Sequence, residues 1–197
     1  MNLQDIRRNL AYRITSPIVS ILSRSGITPN TLTLTNLTLN IVAAYVIATG
    51  HFLLGGVLIL GSGLFDLLDG ALARFTKRTT KFGAVLDSTV DRISEAATLC
   101  GLLIWYVAKE GATLEIVLIL AVLIGSFLVS YIRARAEGLG WQCQVGLFTR
   151  AERVIVLAVG LLINQIFVAL CILAVFVFVT VVQRLVYLWK QEKTKGD

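Results

Sequence analysis

The sequence predicts an all-α polytopic membrane protein: six transmembrane helices preceded by an N-terminal amphipathic interfacial helix. Three observations lead there. Of the 197 residues, 56% are hydrophobic and only 15% charged, against about 25% charged in ordinary soluble domains, and the mean hydropathy is +0.81. Apolar stretches near the ~20 residues that a bilayer requires recur along nearly the whole chain. Basic residues collect at alternate ends of those stretches.

Leu3 to Arg24 is too polar to cross a membrane. Ile6, Leu10 and Ile14 recur every four residues while Arg7, Arg8 and Arg13 take other faces, the pattern of a helix lying in the interface. Pro17 marks a bend. After Gly26 and Pro29, spans are expected at Asn30–Thr49, His51–Phe75, Phe82–Ala108, Thr113–Glu137, Arg150–Ile163 and Gln165–Trp189. The fifth is short, and only the region of Asn164 separates it from the sixth. One membrane domain accounts for the chain: a juxtamembrane segment at 1–28, a helical bundle at 29–190 and a tail at 191–197. No cleavable leader is expected, and no 20–50-residue repeat recurs. The three cysteines, Cys100, Cys143 and Cys171, lack metal-ligand spacing and suggest no disulfide framework.

Charge orients the bundle. Arg7, Arg8, Arg13 and Arg24 precede the first span, and Lys77, Arg78 and Lys81 join the second to the third. Arg133, Arg135, Arg150 and Arg153 flank the fourth and fifth, and Lys190, Lys193 and Lys195 form the tail. In a six-span layout all of these share one side, with Lys109 on the other. The positive-inside rule makes that side, and both termini, cytoplasmic. The formal charge of +6 then reads as topology and attraction to anionic lipid or phosphate. Nucleic-acid binding is excluded for want of a basic soluble module.

The chemistry concentrates between Asp66 and Asp91. Asp66 and Asp69 lie three residues apart, and Asp87 and Asp91 four apart, so each pair shares one helix face. Two helices joined by Thr76–Lys81 would form a hairpin in which the pairs converge. Carboxylates are costly in a bilayer and mark functional sites. Four converging acids repel one another unless cations neutralise them, and hard oxygen ligands suit Mg²⁺ or Mn²⁺, here as two divalent ions. Ion pairing of single aspartates with Arg74 or Arg92 is the purely structural alternative. Gly70 and Gly83 remove side chains where backbone meets a ligand or a neighbouring helix, Ala73 is small for the same reason, and the guanidinium fork of Arg74 can grip phosphate. Thr79 and Thr80 can offer hydroxyls to a diphosphate, although polar loop residues are their ordinary reading. Asn30, after Pro29, reads most simply as a helix N-cap. His51, the single histidine, lies away from the acids and reads as interfacial.

Asp66-x-x-Asp69-Gly70-x-x-Ala73-Arg74, eight residues, then Gly83-x-x-x-Asp87-x-x-x-Asp91 resembles the signature of the CDP-alcohol phosphotransferases, and the likeness extends over nearly the whole chain. It implies transfer of a phosphatidyl-type group from a CDP-linked lipid to an alcohol, with release of CMP. It also implies Asp66, Asp69 and Asp87 as principal metal ligands, and Asp91 as the general base that also touches metal. Gly70, Arg74, Gly83, Thr80 and Asn30 become CDP-lipid-binding candidates, and a homodimer is the common family state.

A second block, Ser130-Tyr131-Ile132-Arg133-Ala134-Arg135-Ala136-Glu137 with Arg150-Ala151-Glu152-Arg153, carries more arginines than topology requires. Arg133, Arg135, Arg150 and Arg153 suit a phosphate monoester, which takes bidentate, charge-assisted bonds. The block resembles the phosphatidylinositol phosphate synthase branch, departing from it at Thr149, where Glu is frequent, and at Ala151, where Pro is common. That resemblance implies CDP-diacylglycerol as donor and inositol phosphate as acceptor. The alternatives are a phosphatidylglycerophosphate synthase, which shares the aspartate motif, and an archaetidylinositol phosphate synthase, which differs in its lipid tails. A divalent-cation transporter is the alternative of another class. Against it, the acids cluster near one membrane face and no polar series continues to the other.

Overall fold

A computed structural model describes residues 18–23, 27–76 and 79–195. All regular structure among them is helical: a short helical segment at 18–23, then α1 (Pro29–Ala48), α2 (Phe52–Phe75), α3 (Lys81–Val107), α4 (Thr113–Gly138), α5 (Arg150–Leu162) and α6 (Ile166–Lys195). The sequence places each of the six within a residue or two at most ends. The exception is the C-terminus, where α6 continues through the expected tail to Lys195. Most of the expected interfacial helix, residues 3–17, lies outside the described residues.

Local chemistry explains the ends. Thr28 caps α1, its hydroxyl accepting from the Thr31 amide at 3.2 Å, with Pro29 in the first turn, where its missing N–H costs nothing. Asn30 is therefore not the N-cap. Thr80 caps α3 by accepting from the Gly83 amide at 2.9 Å. At α5 the Glu152 carboxylate accepts from the amide of Thr149 at 2.9 Å and from its hydroxyl, so the threonine that departs from the branch pattern starts the helix. Asn164, at φ 55°, breaks the chain between α5 and α6.

Four helices are long and apolar enough to cross a membrane: α1, α2, α4 and α6. Within these segments only 28–33% of residues are buried inside the bundle, so most of their apolar surface faces outward, as lipid demands. The two others fall short for definite reasons. α3 carries Asp87, Asp91, Arg92 and Glu95. α5 has 13 residues, about 20 Å of rise against a ~30 Å hydrocarbon core.

Packing closes the helices into a ring. α1 packs on α2 and α3, α3 on α4, α4 on α6, α6 on α5, and α5 on α2. Ala43, Ile47, Ile59, Leu102, Ile119, Leu161 and Leu170 are among the buried residues that fill its centre. Gly101 allows the closest approach: a Cβ there would overlap the Ala44 carbonyl of α1, so only glycine lets the two backbones meet. α2 and α3 are thus held by α1 rather than packed as the expected hairpin. The gap left between them is where their aspartates meet.

The connection 139–149 lies against α6, which satisfies its backbone. Thr180 Oγ1 accepts from the Phe148 amide and Gln183 Oε1 from that of Leu147, each at 3.1 Å. Buried Arg184 donates to the Val145 carbonyl at 2.9 Å and to that of Val129. Gly146 sits at φ 145° with Thr180 against it, a place no side chain fits.

Candidate active site

Asp66 and Asp69 project from the second half of α2, and Asp87 and Asp91 from the first half of α3. Carboxylate oxygens of Asp66, Asp69 and Asp87 lie within 4.8 Å of one another. Oxygens bound to one Mg²⁺ or Mn²⁺ ion at about 2.0–2.1 Å span up to about 4.2 Å, so small side-chain rotations adapt this trio to a shared cation. The donor set fits a hard divalent ion. Asp69 is the most buried of the three, at 5% exposure, and Thr33 of α1 donates to its Oδ2 at 2.9 Å. That hydroxyl fixes the carboxylate's orientation from a third helix.

Asp91 stands one turn beyond Asp87, outside the trio. It is joined to it by Arg150 of α5, whose Nη1 lies 2.8 Å from Asp66 Oδ2 and 3.0 Å from Asp91 Oδ1. The ion-pair partner of Asp66 and Asp91 therefore comes from a distant helix.

Three cavities meet at the carboxylates. A cavity of about 170 Å³ is bordered by Asn30, Thr33, Asp69, Gly70, Arg74, Thr80, Gly83 and Asp87. It gathers all five residues singled out for the CDP-linked ligand. Its floor is tight, since a Cβ on Gly83 would sit 2.9 Å from Thr80 Oγ1 and 3.4 Å from Asn30 Oδ1. A second cavity, about 360 Å³ and mainly apolar, reaches Asp66 from between α2, α3 and α5, and is walled by Ile59, Leu60, Leu64, Leu67 and Ile155. The third, about 570 Å³, is bordered mostly by polar and charged residues, among them Asp87, Asp91, Arg92, Ser130, Arg133 and Thr149. Arg150 and Arg153 border the second and third cavities alike.

The four arginines of the second block separate. Arg133 opens on the polar cavity, with its Nε on Glu137 at 2.8 Å, and Arg150 bridges the acids. Arg153 departs from the phosphate-binding expectation: at 3% exposure it is bound by both Glu95 oxygens, at 2.6 and 2.8 Å, with the Phe148 carbonyl at 3.4 Å. Its hydrogen bonds go to this buried pair. Arg135 is exposed and borders none of the three cavities. Its position on α4 turns it away from these cavities. Sequence reasoning also passed over Thr33 and Glu95. Glu95 carried a signal, four residues after Asp91 on the same helix face, whereas nothing near Thr33 announces its partner on α2. His51 lies at the far end of α2, with Nδ1 3.0 Å from Thr49 Oγ1.

An aspartate-lined membrane bundle of this geometry defines an integral-membrane phosphatidyltransferase. The chain belongs to the CDP-alcohol phosphatidyltransferase family, whose model matches residues 26–186, and the cation-transport reading is set aside. It is similar to the phosphatidylinositol phosphate synthase of Mycobacteroides abscessus, 38% identical over 188 residues, or 91% of this chain and 86% of that protein. It is also similar to the archaetidylinositol phosphate synthase of Methanothermobacter thermautotrophicus, 37% identical over 192 residues, or 94% of each. Among solved structures, the Mycobacterium tuberculosis phosphatidylinositol phosphate synthase with CDP-DAG bound matches at TM-score 0.82 and 37% identity, covering 90% of this chain and 94% of that one. The same enzyme in complex with manganese and citrate matches at 0.83 and 36%, covering 89% and 88%.

Proposed function

We propose that this enzyme transfers the phosphatidyl group of CDP-diacylglycerol to inositol phosphate, giving phosphatidylinositol phosphate and CMP. One observation carries the reading: the carboxylate trio lies where an apolar, a small polar and a larger arginine-bordered cavity meet. A CDP-lipid has an acyl part, a nucleotide part and a diphosphate between them, and the acceptor must reach that diphosphate from a third direction. The relatives named for this reaction, and their structures with CDP-DAG and with manganese, support it.

In this scheme Asp66, Asp69 and Asp87 hold the divalent metal, with Asp91 at its edge. The metal supplies positive charge to the diphosphate, polarising the attacked phosphorus and easing departure of the nucleotide phosphate. Asn30, Thr80 and Arg74 flank the nucleotide and diphosphate in the pocket that Gly70 and Gly83 keep open. Arg133 and Arg150 hold the phosphate of the incoming acceptor, while Arg153, locked to Glu95, is a wall. Asp91 takes the proton of the acceptor hydroxyl as its oxygen bonds to phosphorus and the bond to the CMP oxygen breaks.

The same proposal extends to the membrane. The bundle crosses six times, with α3 and α5 completing the four apolar spans. Both termini and the site face the cytoplasm, where a soluble sugar phosphate arrives. The functional unit is a homodimer.

The test is CMP release by purified protein from CDP-diacylglycerol or its archaetidyl counterpart, with inositol phosphate, inositol, glycerol 3-phosphate or serine as acceptor. Inositol phosphate with the diacyl donor is expected to dominate, EDTA to abolish turnover, and Mn²⁺ or Mg²⁺ to restore it. Preference for glycerol 3-phosphate would replace the acceptor and keep the class.

A further inference from the structure

Arg150 differs from the other arginines at the polar cavity. Arg153 is clamped by Glu95 and Arg133 is paired with Glu137. Arg150 instead spans two helices through a single nitrogen, touching Asp66 on α2 and Asp91 on α3. The bridge is poorly satisfied: Arg150 Nε is buried and has no hydrogen-bond partner among the described residues, and the 3.0 Å contact to Asp91 Oδ1 is an ion pair without hydrogen-bond geometry. A buried donor left in that condition is costly, and turning towards an anion relieves it. The polar cavity bordered by Arg150 is where such an anion would sit.

Asp66 also belongs to the carboxylate trio. A divalent ion there and the Arg150 guanidinium draw on the same carboxylate and repel each other at short range. An anion that takes up the charge of Arg150 frees Asp66 for the metal. In the opposite direction, a metal on Asp66 releases Arg150 towards the cavity. We propose that Arg150 is a positioning residue that couples the two sites, so that divalent metal and the acceptor's phosphate bind cooperatively through one guanidinium. The identity of the anion rests on the function proposed above; the coupling does not. By linkage the factor is the same in both directions.

The experiment is Mn²⁺ titration by electron paramagnetic resonance on the purified full chain in lipid nanodiscs, without anion, with inositol phosphate, with inorganic phosphate and with unphosphorylated inositol. In the wild type, inositol phosphate should tighten Mn²⁺ by about fivefold or more, the lower end of ordinary allosteric coupling, and inositol should not. Arg150→Gln should bind Mn²⁺ more tightly than wild type before any anion is added, and then gain nothing from it. Arg150→Lys, which keeps the charge but not the fork, should couple in the same direction by a smaller factor. The proposal is overturned if the wild type shows no coupling, if Arg150→Gln couples as strongly as wild type, or if its anion-free Mn²⁺ affinity is no higher. CMP release measured on the same samples keeps the two readings apart. Should inorganic phosphate tighten Mn²⁺ while inositol phosphate supports no CMP release, the acceptor assignment falls and the coupling stands.

Discussion

Thr33 and Asp91 act on the same carboxylate cluster in different ways, and substitution should separate them. The Thr33 hydroxyl orients Asp69 through its hydrogen bond to Oδ2. Partners that orient a ligand typically cost 10–100-fold in metal affinity or activity when lost. Thr33→Val should therefore need about 10–100-fold more Mn²⁺ for half-maximal rate, with the rate largely recovered at saturating metal. Asp91→Asn should instead keep its CDP-lipid affinity and lose about 10²–10⁴ in turnover, whatever the metal concentration. A Thr33→Val enzyme with the wild-type Mn²⁺ requirement would show the hydroxyl to be incidental. These residues also mark how far a sequence can be read. Four aspartates, two glycines and Arg74 at fixed spacing are legible because neighbours on one helix share a face. Thr33, and the attachment of Arg150 to Asp66 and Asp91, depend on which helices pack together, and no local pattern encodes that.

Most helices are legible for a local reason: apolar length for α1, α2, α4 and α6, and a break near Asn164 between α5 and α6. How the helices meet is not. The short link after Phe75 suggests a hairpin, yet α2 and α3 both lean on α1 instead. The cause is visible at Gly101, where α3 presses its backbone onto Ala44. A side chain there would part α1 from α3 and widen the gap across which the aspartates meet. Gly101→Val should therefore lower the melting temperature in detergent and the turnover together. Gly61, on the same bundle in α2, has nothing within 4 Å of where a Cβ would stand. Gly61→Ala should melt at or slightly above wild type, since alanine favours the helix by up to about 1 kcal/mol. Equal melting of the two variants would mean that the α1–α3 contact does not hold the bundle.

At the scale of the whole molecule, the number of crossings decides which way the bundle faces. Four helices satisfy length and apolarity, while α3 is too charged and α5 too short to qualify alone. The reason is functional: α3 carries half of the carboxylate cluster, and α5 begins at Arg150, inside the site. Both are the helices that a catalytic centre at membrane depth would be expected to spoil as spans. Their charged groups pair within the protein, Glu95 with Arg153 and Arg150 with Asp66 and Asp91, so lipid need not accept these charges. Six crossings follow if both nonetheless complete the passage, and an even number returns the chain to its starting side. Single cysteines at Thr79, Gly111 and Lys193, in a chain whose Cys100, Cys143 and Cys171 are replaced by serine, can test this in sealed right-side-out vesicles. An impermeant maleimide should modify the Gly111 cysteine at once, and the Thr79 and Lys193 cysteines only after permeabilisation. If the Lys193 cysteine instead reacts alongside that at Gly111, α5 fails to cross, whereas a protected Gly111 cysteine with a reactive Lys193 cysteine would mean that α3 does not.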